Sequence, residues 1–190
     1  MVRFGMILLS IVHCGSVSAQ DNYLLPGVIS VSSTIAPSAM LNRDESNFYI
    51  NGFAEYFITR KVSLRSDNYI LVDGRNELPF IDQAVRSYFG MAYHFGKSNW
   101  DNHIGFQPGI TLMRLTPSVE KVHNPRDLSA SMAFGVGTTY YVWKYFNFFA
   151  NLTYVRSKMS GVVGGPHQTD ELIIAAGLGF QIPTKRKKQN

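Results

Sequence analysis

Apolar and polar side chains alternate along most of this chain with a period of two, and helical periodicity is hard to find. From Phe48 to Ile58, one face reads Phe48, Ile50, Gly52, Ala54, Tyr56 and Ile58, against Tyr49, Asn51, Phe53, Glu55 and Phe57. The pattern returns from Val62 to Val72, from Ala84 to Phe95, from His103 to Leu112, from Ser131 to Val142, from Asn147 to Tyr154 and from Glu171 to Ile182. A weaker stretch, Val28 to Ala39, precedes them. These segments predict eight β-strands and an all-β fold.

The connections alternate in length. Thr59-Arg60-Lys61, Gly96 to Asp101 and Trp143-Lys144-Tyr145 are short. Those near Leu41–Ser46, Asp73–Gln83, Pro117–Arg126 and Gly161–Thr169 are generally longer and rich in Asn, Asp, Gly, Pro and Ser. Threading eight strands up and down puts every short connection at one end, an asymmetry that transmembrane barrels show. A soluble antiparallel sheet, as in a lipocalin-like core, also alternates, with its apolar face buried. Two features turn the apolar face outward to lipid. First, the opposite face is rich in small residues, including Gly90, Ala92, Gly105, Gly109, Ala133, Gly135, Gly137, Gly177 and Gly179, as a narrow barrel interior requires. Second, a turn centred at Lys144 pairs large with small there: Thr139 with Phe149, Gly137 with Asn151, Gly135 with Thr153.

The aromatic residues support the same assignment. Tyr56, Tyr93, Phe95, Trp100, Tyr140, Trp143, Tyr145, Phe146 and Phe180 all fall near the short-turn end. Rings that are apolar with a polar edge gather at a membrane interface.

Composition adds a leader and a tail. The opening "MVRFGMILLSIVHCGSVSAQ" has a basic start at Arg3, an apolar run too short to span a bilayer, and small residues at Val17 and Ala19. It reads as a Sec signal peptide, residues 1–19, cleaved after Ala19. Cys14 is the only cysteine, so the mature chain would hold neither a disulfide nor a thiolate metal site. Arg3 leaves with the leader, and the 18 basic side chains fall to 17 against 13 acidic ones. Lys185, Arg186, Lys187 and Lys188 account for that surplus. The body, residues 20–182, is therefore neutral, which argues against nucleic-acid binding. Residues 183–190 read as a basic tail.

With strand count, turn asymmetry, girdle and the last strand "LIIAAGLGFQI" in place, the chain resembles the small eight-stranded outer-membrane barrels of Gram-negative bacteria, the OmpA/OmpX-like group. The resemblance covers Gly27 to Ile182. It implies an antiparallel up-and-down transmembrane barrel in the outer membrane, with short turns and tail on the periplasmic side. The chain departs from the group in its ending: such barrels usually stop at the aromatic residue of the last strand, whereas "PTKRKKQN" follows here.

Inside this barrel, a turn centred at Arg60 sets Glu55 opposite Arg65. Asp67, Arg86 and Glu171 also face inward, where paired charges offset each other's desolvation. The expectation is a structural plug and not a gate or proton site, since eight strands leave no wide channel. His94 and His103 become inward neighbours, but no third ligand is evident, so no metal and no cofactor are expected. Some outer-membrane barrels modify lipid A acyl chains with a Ser/His/acid set or a histidine at the outer leaflet. Here His94 and His103 lie at the periplasmic end, and His123 and His167 lie in loops without a G-x-S-x-G motif. The expected role is structural or surface-interacting, not catalytic. Its partners would be outer-membrane lipid and host or cell-surface ligands met by loops such as "TPSVEKVHNPRDLS". A small pore and a lipid-modifying enzyme are the alternatives.

Overall fold

The computed structural model describes residues 24–74, 79–116, 126–159 and 167–184. The leader of residues 1–19, the tail from Lys185 onward and the loop histidine His123 lie outside the described residues.

Every long alternating segment is a strand. They are β1 (Val28–Met40), β2 (Ser46–Phe57), β3 (Val62–Gly74), β4 (Ile81–His94), β5 (Trp100–Leu115), β6 (Arg126–Tyr141), β7 (Phe146–Met159) and β9 (Glu171–Pro183). A two-residue strand, β8 (His167–Gln168), extends the end of β7. Most strands run further at the long-loop end than the alternation indicates. At the short-turn end, Trp100 and Asp101 belong to β5 and not to a turn. The last strand passes Ile182 to include Pro183, and Thr184 donates its amide to Gly27 O. The last strand thus ends one residue later than the sequence suggests.

Each long strand pairs antiparallel with its neighbours, in the order β6-β5-β4-β3-β2-β1-β9-β7, and β6 pairs with β7 to close the wall. Closure removes the sheet edges that would otherwise expose unpaired backbone groups, a requirement in hydrocarbon. The register follows the turns: Glu55 lies opposite Arg65, His94 opposite His103, and Gly137 opposite Asn151.

The register decides which face is buried. Inward positions include Tyr49, Phe53, Tyr69, Tyr88 and Phe149, which form the apolar part of the core. Outward positions carry an exposed apolar band that includes Ile50, Ile70, Phe89, Ile104, Phe134, Leu152, Ile174 and Leu178. A band of this extent around a closed barrel is a lipid-facing surface. It is interrupted by a small polar cluster on β3 and β4, where Ser87 Oγ donates to Asn68 Oδ1 at 2.7 Å. Gly90 and Gly109 show why the interior face needs small residues. A Cβ on either would fall well inside van der Waals contact with backbone of the adjoining strand, at Phe106 O and Ser87 O respectively.

The β1–β9 seam differs from the rest of the wall. Pairing holds from Val28↔Pro183 to Ser32↔Gly179 and from Ser38↔Ile173 to Met40↔Glu171, and lapses between. Pro37, which has no N–H to give, lies in the lapse. Side chains replace part of the ladder, for Thr34 Oγ1 donates to Ala176 O at 2.7 Å and Ser32 Oγ to Leu178 O at 3.3 Å.

Candidate functional site

Two polar clusters occupy the barrel interior, one toward each end. Both arise from the same rule: every second residue points inward, so a charged residue at an inward position must find its partners there.

In the cluster toward the long loops, Arg86 from β4 and Glu171 from β9 form an ion pair between groups that are each 0% exposed. Glu171 also accepts from Ser38 Oγ at 2.9 Å, Asn47 Nδ2 at 2.8 Å and Tyr49 OH at 2.9 Å. Four strands thereby converge on one carboxylate. Tyr69 sets its ring edge-on to Tyr49 and to Tyr88, filling the space below.

The cluster toward the short turns centres on Arg65. Sequence reasoning pairs this residue with Glu55, but the two stand 3.8 Å apart. The close partner is Asp67, two residues along the same inward face. Arg65 Nε donates to Asp67 Oδ2 at 2.7 Å and Nη2 to Oδ1 at 3.1 Å. Gln107 Nε2 donates to the same carboxylate at 2.8 Å. Asn151, with its amide oxygen turned toward the guanidinium, accepts from Nη2 at 2.9 Å. The guanidinium also lies 4.1 Å from the Phe53 ring centre. Glu55 instead accepts from Ser63 Oγ at 2.7 Å and faces His94 Nε2 at 3.2 Å. His94 Nδ1 in turn lies 2.6 Å from Asp101 Oδ2.

The five charged residues expected inside therefore divide into two groups, Glu55, Arg65 and Asp67 in one and Arg86 and Glu171 in the other. The short-turn cluster also takes in Asp101, Ser63 and Gln107, which the sequence pattern does not single out. The sequence reading puts Asp101 in a turn, yet counting back two from His103 on β5 places it inward, so the alternation carries the signal.

The aromatic residues named as a girdle surround the short-turn end. All but the half-buried Phe146 are exposed. They pair around the circumference: Trp100 with Tyr140 and Phe146 with Phe180, both at 4.9 Å between ring centres.

No protein-family profile and no curated protein matches the chain in sequence. Solved structures do match in shape. The outer membrane protein OprG from Pseudomonas aeruginosa is 11% identical, with a TM-score of 0.58, and the match covers 85% of this chain and 98% of that one. Neisserial surface protein A is 13% identical, with a TM-score of 0.59, covering 82% and 96%. Ail, the attachment invasion locus protein of Yersinia pestis, is 16% identical, with a TM-score of 0.56, covering 83% and 100%. The fold is that of the small eight-stranded outer-membrane barrels. The likeness spans nearly the whole of each of those chains, so the eight strands and their closure are shared with them. At these identities the likeness concerns the fold, and the interior clusters are read from this chain alone.

Proposed function

We propose that this protein is an integral outer-membrane barrel with a structural or surface-contact role, without catalytic activity and without a solute path. The observation that carries the reading is the packed interior. Arg86, Tyr49, Tyr69, Tyr88 and Phe57 are among the largest fully buried side chains, and they project across the lumen. Charged members of the plug are held by several bonds each, so opening a channel would require breaking those bonds and moving bulky side chains aside. What remains for contact is the exterior: a lipid-facing wall and the longer loops, which the topology places on the outer face if the short turns are periplasmic. Ail, similar in fold, bears the name of an attachment protein and was solved with a heparin analogue, which agrees with a surface-contact role.

Planar bilayer recording separates this reading from a pore. The purified barrel is expected to give no stepwise conductance, and regular steps would establish the channel alternative. Displayed on a non-adherent Gram-negative strain, the protein is expected to increase attachment to host cells or to neighbouring bacteria. Replacing residues 117–125 by a short turn should remove the gain.

A further inference from the structure

We infer that His94, Asp101 and His103 form a binding site for a divalent transition-metal ion at the short-turn mouth of the barrel. The β4–β5 register brings them together. His94 stands opposite His103, and Asp101 is the next inward position on β5. One ligating atom from each lies within 4.8 Å of the others, and the residues are 1%, 1% and 5% exposed. The set is thus nearly assembled before any ion arrives. Small side-chain movements bring a nitrogen or oxygen of each to the roughly 2.0–2.2 Å that zinc takes from such ligands.

Two further observations point to a ligand. Asp101 Oδ1 and His103 Nδ1 are buried atoms with no hydrogen-bond partner, whereas His103 Nε2 lies 3.3 Å from Arg65 Nη1, a contact the ring gives up when it ligates through Nδ1. Such atoms are uncommon, and here two of them belong to one cluster of metal-binding side chains. His94 also has the support typical of a ligating histidine. Its Nε2 faces the Glu55 carboxylate at 3.2 Å and Ser63 Oγ at 2.8 Å, which holds Nδ1 toward Asp101.

Charge balance favours an ion of charge two. Glu55, Asp67 and Asp101 bring three carboxylates to this end of the interior, and Arg65 brings one guanidinium. A divalent ion between Asp101 and two neutral imidazoles makes the cluster neutral. Imidazole with carboxylate is the donor set of zinc, cobalt or nickel, and not of calcium or magnesium, which prefer oxygen alone. Access is from the mouth, where a cavity of about 610 Å³ is bordered by His94, Tyr141, Arg60, Lys61 and Lys97. Those cations are exposed, and their field is screened within about 8 Å at physiological salt.

The test uses the protein extracted from membranes in detergent, stripped with a chelator and probed with Co²⁺. One equivalent should bind, with a visible absorption band, and Zn²⁺ should displace it. His103→Ala and Asp101→Asn should each weaken binding by more than about tenfold while the barrel still shifts on a gel when boiled. The pair His123→Ala with His167→Ala should bind as the parent does. Paramagnetic shifts of the His94 and His103 ring protons in the unaltered protein locate the ion even if a variant folds poorly. Absence of binding at millimolar Co²⁺ would overturn the inference. So would unshifted rings in the presence of bound ion, or loss of binding only when His123 and His167 are replaced.

Discussion

Arg65 has two carboxylates within reach, and distance separates them. Asp67 makes two bonds to the guanidinium, whereas Glu55 stands 3.8 Å off and is engaged by Ser63 and His94. Double-mutant cycles by urea unfolding in lipid vesicles should therefore give Arg65 and Asp67 a coupling above about 1 kcal/mol, and Arg65 and Glu55 a smaller one. A larger Glu55 coupling would reverse the assignment. Arg86 and Glu171 have no such alternatives. Glu171→Ala leaves a fully buried guanidinium without its counter-charge, and a loss of about 3–5 kcal/mol is expected in the same assay. Glu171→Leu combined with Arg86→Leu should cost less than Glu171→Ala alone, because no charge is then left stranded. Directly opposed partners were legible in the sequence, because a turn of known centre fixes them. Arg65 with Asp67 was harder to read: residues two apart on one strand lie on the same face, but only side-chain length and direction bring them into contact. Asp101 is less legible, because the polar pair Asp101-Asn102 blurs the alternation at the start of β5.

At the scale of the strand, the small residues divide by what borders them. A methyl at Gly109 would meet the backbone of β4, which cannot yield, and Gly109→Ala is expected to destabilise by about 1–3 kcal/mol. At Gly135 an added Cβ meets only Thr153 Oγ1, at 3.8 Å. Gly135→Ala should stay within about 0.5 kcal/mol of the parent, which urea midpoints can check. Both glycines read alike in the sequence, as small inward positions. Their difference depends on how closely neighbouring strands approach, which an alternating pattern does not encode. Strand number, facing and register were legible because one face had to be apolar throughout and short turns left little freedom. The lapse between β1 and β9 was not, since no turn connects those strands and nothing local fixes their pairing.

The molecule as a whole is polarised along its axis. Its short-turn end exposes Arg60, Lys61, Lys97 and Lys144, and no acidic side chain is exposed there among the described residues. The other end mixes signs, as where Arg114 pairs with Asp82. The four cations of residues 185–188 continue the basic end in sequence. Deleting residues 185–190 is expected to leave heat-modifiability intact and to weaken binding of the detergent-solubilised protein to anionic vesicles, at up to about 1 kcal/mol per cation in low salt. Loss of folding on deletion would show instead that the tail supports the last strand. The seam between β1 and β9 has a consequence for assembly in time. The bond from Thr184 to Gly27 joins residues 157 apart in the chain. Contact order there is close to the maximum the barrel permits, so the cost of loop closure is met in full before the seam returns anything. The wall cannot be completed by a nascent chain still missing its final strand. With its ladder thinned around Pro37, this joint is also the one expected to close last and part first.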